Sequence, residues 1–234
     1  LVLGTAMDST FCYGYPPGEL RERFREAHDL IIRAWKEPEP FAFNGKYTKL
    51  RYVNVWPQPI QKPHPPIWVP GSGSLETWQL VSEMDYCYGH LSFSGMQHAK
   101  PVVDGYWEYV DAIGGNMNPN RMAFTQIICI SETDAKAEEE YREAVEYFYR
   151  ITNFASRGFS GAPGYRSRKS MTWEQEMAEK RGAGRAKAIK GELSWNDYVR
   201  EGYIIAGSPA TVRERMEDLI KQLHVGHVFL LFQV

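Results

Sequence analysis

The feature that most constrains this chain is an alternation of short apolar runs with longer amphipathic stretches. Ile67-Trp68-Val69, Asp85 to Leu91, Met122 to Ile130 and the closing run His227 to Val234 read as strands. Between them, helices are predicted over residues 19–35, from near Ser74, over 96–113, from the Ser131–Asp134 capping box to about 154, and from Pro209 to Leu223. The first carries Leu20, Phe24, Ala27, Ile31 and Ala34 at helical spacing and is stopped by Pro38 and Pro40. The third carries Val102, Val103, Tyr106, Trp107 and Val110 on one side. Strands that alternate with helices in this way pair in parallel through helical crossovers, so the chain is of the α/β class.

Punctuation refines the reading. Asn44-Gly45 between strand-like flanks signals a β-hairpin excursion, Phe41 to Trp56. A connector with Pro57, Pro59, Pro63, Pro65 and Pro66 follows. Ser131-Glu132-Thr133-Asp134 has the spacing of a capping box, and Ser208-Pro209 is a cap followed by proline at the first helical position. Residues 156–193 hold six glycines and nine Lys or Arg with little apolar periodicity, so they are expected to form a mobile insertion with a short helix around 172–180. Such a segment is either a solvated basic loop or a lid over an active site.

Composition narrows the function classes. With 27 Lys+Arg against 29 Asp+Glu, the chain lacks the basic excess of a dedicated nucleic-acid or membrane-surface protein. The 14% aromatic content suits a large core or a cleft for a flat organic ligand. Cys12, Cys87 and Cys129 are odd in number and lack metal-ligand spacing, which indicates a reduced, cytoplasmic protein. No apolar run reaches the ~18 residues of a membrane span, and no signal peptide is visible. The chain opens in Leu1-Val2-Leu3-Gly4 and closes in an apolar strand, so it is expected to be one domain over 1–234, incomplete at both ends.

The strongest candidate for chemistry is Pro70-Gly71-Ser72-Gly73-Ser74-Leu75-Glu76-Thr77, where a buried strand hands over to a helix. Glycines admit close approach to the backbone, and helix-start N–H groups with the Ser74 and Thr77 hydroxyls suit phosphate oxygens. The alternative is an ordinary capped turn. The segment is neither a P-loop nor a GxGxxG loop, and it has no Gly-x-Ser-x-Gly elbow. His90 and Tyr88 fall near the C-terminal end of a strand, where α/β barrels place active-site residues, so His90 is the histidine candidate for substrate contact. Asp8 to Tyr15 follows the first apolar run and offers hydroxyls and rings. His224 and His227 are separated by a turn and a glycine and are not expected to share a metal; His28 reads as a packed helix residue and His64 as part of the connector.

Phe43-Asn44-Gly45-Lys46-Tyr47, the string Trp56-Pro57-Gln58-Pro59-Ile60-Gln61-Lys62-Pro63-His64-Pro65-Pro66-Ile67-Trp68-Val69-Pro70-Gly71, and the later Gly207-Ser208-Pro209-x-x-Val212 resemble the bacterial luciferase-like flavin monooxygenases. The resemblance spans nearly all of the chain except about 156–193. It implies a partial TIM-type (β/α)8 barrel, strands four to eight, with Leu1–Gly4 as the end of strand four and His227–Val234 as strand eight. It implies a monooxygenase that uses reduced FMN and dioxygen on a small organic substrate, served by a flavin reductase and acting as a homo-oligomer. Gly71, Gly73, Ser74 and Thr77 then lie at the cofactor, the last three at its phosphate. A family catalytic histidine would lie in the earlier strands, so no catalytic residue carries over, and this stretch alone is expected to be inactive. Two other readings share the fold: hydride transfer to a deazaflavin, and a non-catalytic flavin-binding relative.

Overall fold

A computed structural model describes residues 1–3, 10, 12–91, 93–152, 164–181, 187–188 and 190–232. The chain divides into two units, Leu1–Ile67 with Arg157–Ser167, and Trp68–Ser156 with Arg168–Val234.

In the first unit, α1 (Leu20–Lys36) is followed by the antiparallel pair β1 (Phe41–Asn44) and β2 (Lys49–Val53). Helix α1 ends before Pro38, and Gln58 of the proline connector donates to the Ala34 and Glu37 carbonyls, which a helix end leaves without partners. His28 is buried and bonds Asp29, the packed role expected of it. The hairpin forms, but its loop runs from Gly45 to Thr48 rather than being the two-residue Asn-Gly turn. Glu26 of α1 explains the wider loop: its carboxylate takes the N–H groups of Tyr47 and Thr48 at 3.0 and 2.6 Å. A Cβ on Gly45 would lie 2.3 Å from the Glu26 carboxyl carbon, so a side chain there would displace the Glu26 carboxylate. Leu1–Leu3, expected to end a strand, belong to none; Gly4 and Val234 lie outside the described residues.

The second unit is a parallel sheet flanked by helices: β3 (Trp68–Gly71), α2 (Leu75–Glu83), β4 (Cys87–His90), α3 (Met96–Ala112), β5 (Met122–Ile130), α4 (Asp134–Thr152), α5 (Arg168–Arg181), α6 (Trp195–Arg200), β6 (Ile204–Gly207), α7 (Pro209–Leu223) and β7 (His227–Leu231). Strand β5 has eight of its nine residues buried because elements cover both faces, which is why it reads as one apolar run. Along one edge it pairs first with β4 (Met122 to Phe124) and then with β6 (Ile127 to Ile130); along the other it pairs with β7 (Ala123 to Ile127). One face carries Tyr88, Met122 and Phe124, with Tyr88 packed on Tyr106 of α3 at 4.8 Å. On the other face, Ile127, Cys129, Ile204 and Ala206 form a core with Val145 and Tyr149 of α4 and Trp195 and Tyr198 of α6.

The sheet is curved. Strands β3 and β7 stand three positions apart, ~14 Å in a flat sheet at the usual strand spacing. Yet the Trp68 ring lies 5.0 Å from His227 and 5.6 Å from Phe229. Gly89 on β4 makes room, since a Cβ there would sit 3.3 Å from Phe229 Cε2. Strands β3, β4, β5 and β7 are therefore an arc of a parallel barrel, as expected for strands five to eight, and the arc does not close among the described residues.

Three elements differ from expectation. Ile204–Gly207 is an additional strand; four residues are too few to show a period. The insertion helix spans Arg168–Arg181 rather than 172–180, with Ser170 and Met177 buried; the rest of the insertion lies partly outside the described residues. The cap of α4 is Thr133, whose hydroxyl accepts from Lys136 N at 3.1 Å, so the box does not start at Ser131. Its acidic member is used elsewhere: Asp134 accepts from Ser208 N at 2.7 Å and from the Thr211 hydroxyl at 3.2 Å, across the start of α7.

The Ser208 N–H, with the Thr211 hydroxyl, holds the Asp134 carboxyl below the usual aspartate value. A lowered folded-state pKa stabilises the fold above the unfolded value, near ~3.9, and is lost as pH falls through the folded value. The urea midpoint of the wild type is expected to fall more steeply below about pH 4 than that of Asp134→Asn. Superimposable pH profiles would show that the clasp contributes nothing.

Candidate functional site

The turn from β3 into α2 brings Gly71, Gly73, Ser74 and Thr77 together. Ser74 is the N-cap residue of α2, with extended backbone at φ −85° and ψ 136°. Its hydroxyl does not cap a helix N–H; it meets the Thr77 hydroxyl at 2.7 Å, with both residues buried. Two hydroxyls in contact use one proton between them.

Gly73 is required by what surrounds it, and Gly71 is closely packed. Gly73 has φ +107°, and a Cβ on it would lie 2.4 Å from Val102 Cγ1 of α3. At Gly71 a Cβ would lie 3.2 Å from the Tyr88 ring and 3.3 Å from the Thr77 methyl. The Tyr88 hydroxyl donates to the Gly71 carbonyl at 3.1 Å, tying β4 to the turn. The same oxygen lies 3.3 Å from His90 Nδ1. Because Tyr88 has given its one proton to Gly71, this contact needs the histidine proton on Nδ1.

His90 is thus paired, buried, and stacked on Phe124 at 5.7 Å and 15° between planes. It shares with Tyr88 the face covered by α3, opposite the face that carries Trp68, Gly89 and Phe229. His224 caps α7 in the left-handed region and meets Trp107 and the Met117 carbonyl, whereas His227 sits on β7 against Trp68. Their directions diverge, as their spacing predicts. In the first unit, Thr10 is buried, and Tyr13 and Tyr15 stack at 6.4 Å with Arg23 over the Tyr15 ring. Asp8, Ser9 and Phe11 lie outside the described residues. His64 bonds the Pro65 carbonyl beside Trp35.

Other helix starts after the parallel strands are closed by protein groups. Met96 N and Gln97 N at the start of α3 donate to the carbonyls of Gly202 and Glu201 at 3.0 and 3.2 Å. The start of α7, where barrels commonly place a phosphate, holds the Asp134 carboxylate. Sequence reasoning missed two neighbours of the Gly73 turn, Val102 and Trp173. The second lies in a polar, basic segment with no apolar periodicity to mark it.

The parallel arc, with a glycine- and hydroxyl-bearing helix start at its C-terminal end, defines an α/β barrel-type domain with a candidate anion site. Among known sequences, the profile of the luciferase-like monooxygenases matches residues 1–226, and the chain belongs to that family. A search of curated protein sequences finds no match. The chain is similar in fold to monooxygenase RslO1 from Streptomyces bottropensis, at 16% identity and TM-score 0.63, covering 98% of this chain and 59% of that one. It is likewise similar to the oxygenating constituent of 3,6-diketocamphane monooxygenase from Pseudomonas putida, a type II Baeyer-Villiger monooxygenase solved with FMN. There the identity is 20% and the TM-score 0.64, covering 99% of this chain and 63% of that one. An F420-dependent secondary alcohol dehydrogenase, solved with an F420-acetone adduct, aligns at 15% identity and TM-score 0.57, covering 98% and 62%. The chain therefore spans about 60% of the length of these structures. No helix among the described residues is long and apolar enough to cross a membrane.

Gly73→Ala adds a methyl at a positive φ and into Val102, so it is expected to destabilise the fold by about 1–3 kcal/mol. Urea unfolding measures this, and an unchanged midpoint would show that the turn relaxes freely.

Proposed function

We propose that the intact protein is a flavin-dependent monooxygenase that uses reduced FMN and dioxygen to oxygenate a small organic substrate. The observation that carries the reading is the buried Ser74–Thr77 hydroxyl pair at the start of α2, in a member of this family. The residues fit a phosphate: two hydroxyls, helix-start N–H groups, and glycines where side chains would crowd the turn. When bound, the reduced flavin supplies the electrons with which dioxygen is activated.

The chain's own residues bind and orient. Ser74 and Thr77 set two adjacent hydroxyls at the start of α2, a pairing suited to phosphate oxygens. Gly71 and Gly73 keep the backbone approachable. The Tyr88–Gly71 bond fixes the strand end from which the turn departs. Trp68 and Phe229 line the concave face with apolar rings, a wall suited to excluding water from a reacting centre. A flavin reductase as partner, homo-oligomeric assembly and a cytoplasmic location belong to the same proposal.

A second reading, hydride transfer with a deazaflavin, is supported by the fold likeness to the F420-dependent dehydrogenase. It uses the same phosphate turn and differs in the cofactor carried. The cofactor that co-purifies with the intact protein decides between them.

The phosphate site is tested by the double variant Ser74→Ala, Thr77→Ala in the intact protein. Loss of hydroxyls that bond a charged group is expected to weaken FMN by at least about tenfold and leave riboflavin within about twofold, in a fluorescence titration. Equal loss for both ligands would remove the phosphate role.

A further inference from the structure

We propose that Trp173 is a positioning residue for the phosphate turn: it seats the insertion helix α5 on that turn and sets the affinity for the flavin phosphate. The proposal rests on the flavin-phosphate reading of Gly71, Gly73, Ser74 and Thr77 given above.

The Trp173 ring meets the turn from two sides. It stands edge-to-face on Trp78, the residue after Thr77, with centroids 4.8 Å apart and planes at 77°. It also lies over Gly73, where a Cβ would be 3.6 Å from its Cη2 and Cζ3 atoms. Helix α3 is shaped to receive it: a Cβ on Gly105 would lie 3.3 Å from Trp173 Cζ2 and 3.5 Å from Trp78 Cη2. A Cβ at position 105 would press on the Trp173 ring and touch that of Trp78, and one at position 73 would strain the turn that Trp173 covers.

The contact is built into a segment that composition alone assigns to solvent. Of the residues described in α5, Ser170 and Met177 are buried and Trp173 is half-buried, while Arg168, Lys169, Met171, Glu174 and Glu176 are exposed. Trp173 is thus the aromatic anchor by which the helix meets α2 and α3. An indole over the turn does two things there. It limits the backbone freedom of Gly73, the one residue of the turn with φ of +107°. It also keeps water from the side of the turn next to Trp78, and a hydrogen bond to a charged group is stronger where water is excluded. Both effects act at the turn that would hold the phosphate, so the gain is expected for ligands that carry one.

The test titrates the intact protein with FMN and with riboflavin by flavin fluorescence, in the wild type, Trp173→Phe and Trp173→Ala. Trp173→Ala is expected to lower FMN affinity by about tenfold and riboflavin by less than about twofold, while Trp173→Phe, which keeps a ring over Gly73, retains most of the FMN preference. An FMN-to-riboflavin ratio in Trp173→Ala equal to that of the wild type, whether both affinities hold or both fall, overturns the proposal. Equal affinity of the wild type for the two ligands instead overturns the phosphate site itself. Where Trp173→Ala fails to fold by circular dichroism, Trp173→Leu, which keeps apolar bulk without a ring, carries the same comparison.

Discussion

The pairing of Met122–Ile130 on both of its edges is the constraint on which the rest of the second unit depends. One edge is shared in succession by Cys87–His90 and Ile204–Gly207, and the other is taken by His227–Leu231. A strand paired on both sides has its N–H and C=O groups satisfied, so it can lie inside the core, and eight of its nine residues are buried, Thr125 and Gln126 among them. The curvature follows from the same arrangement. Gly89 opens the concave face to Phe229, and Trp68 reaches across to it.

The polar groups follow the logic of helix starts. Each helix leaves N–H groups unpaired at its beginning, and this chain closes those starts in different ways. Backbone carbonyls of Glu201 and Gly202 close α3, the Thr133 hydroxyl caps α4, the Asp134 carboxylate crosses to α7, and Ser194 with Asp197 forms a complete capping box at α6. The start of α2 carries hydroxyls that bond one another. Filling the start of α7 with Asp134 removes the position at which a barrel commonly holds phosphate, and this is the structural argument for placing an anion at α2 instead.

The elements with a full period were legible in the sequence: α1, α3, α7, β5 and the strand–helix alternation that fixed the class. The Ser74 turn was legible as a strand–helix junction because serine after glycines is a common way to start a helix, and Ser74 is the N-cap of α2. What was not legible depends on contacts between distant residues. Asn44-Gly45 signals a hairpin, but the width of its loop is set by Glu26, on a different element. Ser131 to Asp134 has the spacing of a capping box, yet Asp134 is claimed by Ser208 and Thr211, seventy and more residues away. Ile204–Gly207 is too short for a pattern and exists because β5 extends beyond β4 and leaves an edge open. Trp173 sits among charged residues, so nothing local marks it as a packing residue.

The protonation states bear on how the work is divided. Burial raises the Tyr106 hydroxyl and the Cys129 thiol to about 12 each, and raises the Cys87 thiol and Tyr149 as well. The Ser194 hydroxyl and N–H, with Arg200, hold Asp197 down at about 2, and the Tyr47 hydroxyl and Lys46 lower Glu22. These shifts all run away from neutrality. Buried thiols and phenols are kept protonated and the clasped carboxylates ionised, whereas a general acid or base works best with a pKa near the working pH. The candidate site is made of hydroxyls, backbone N–H groups and glycine turns, which hold an anion without exchanging a proton at neutral pH. That is the set of groups a protein needs when its task is to place a cofactor that carries the reaction, and it agrees with the family to which the chain belongs.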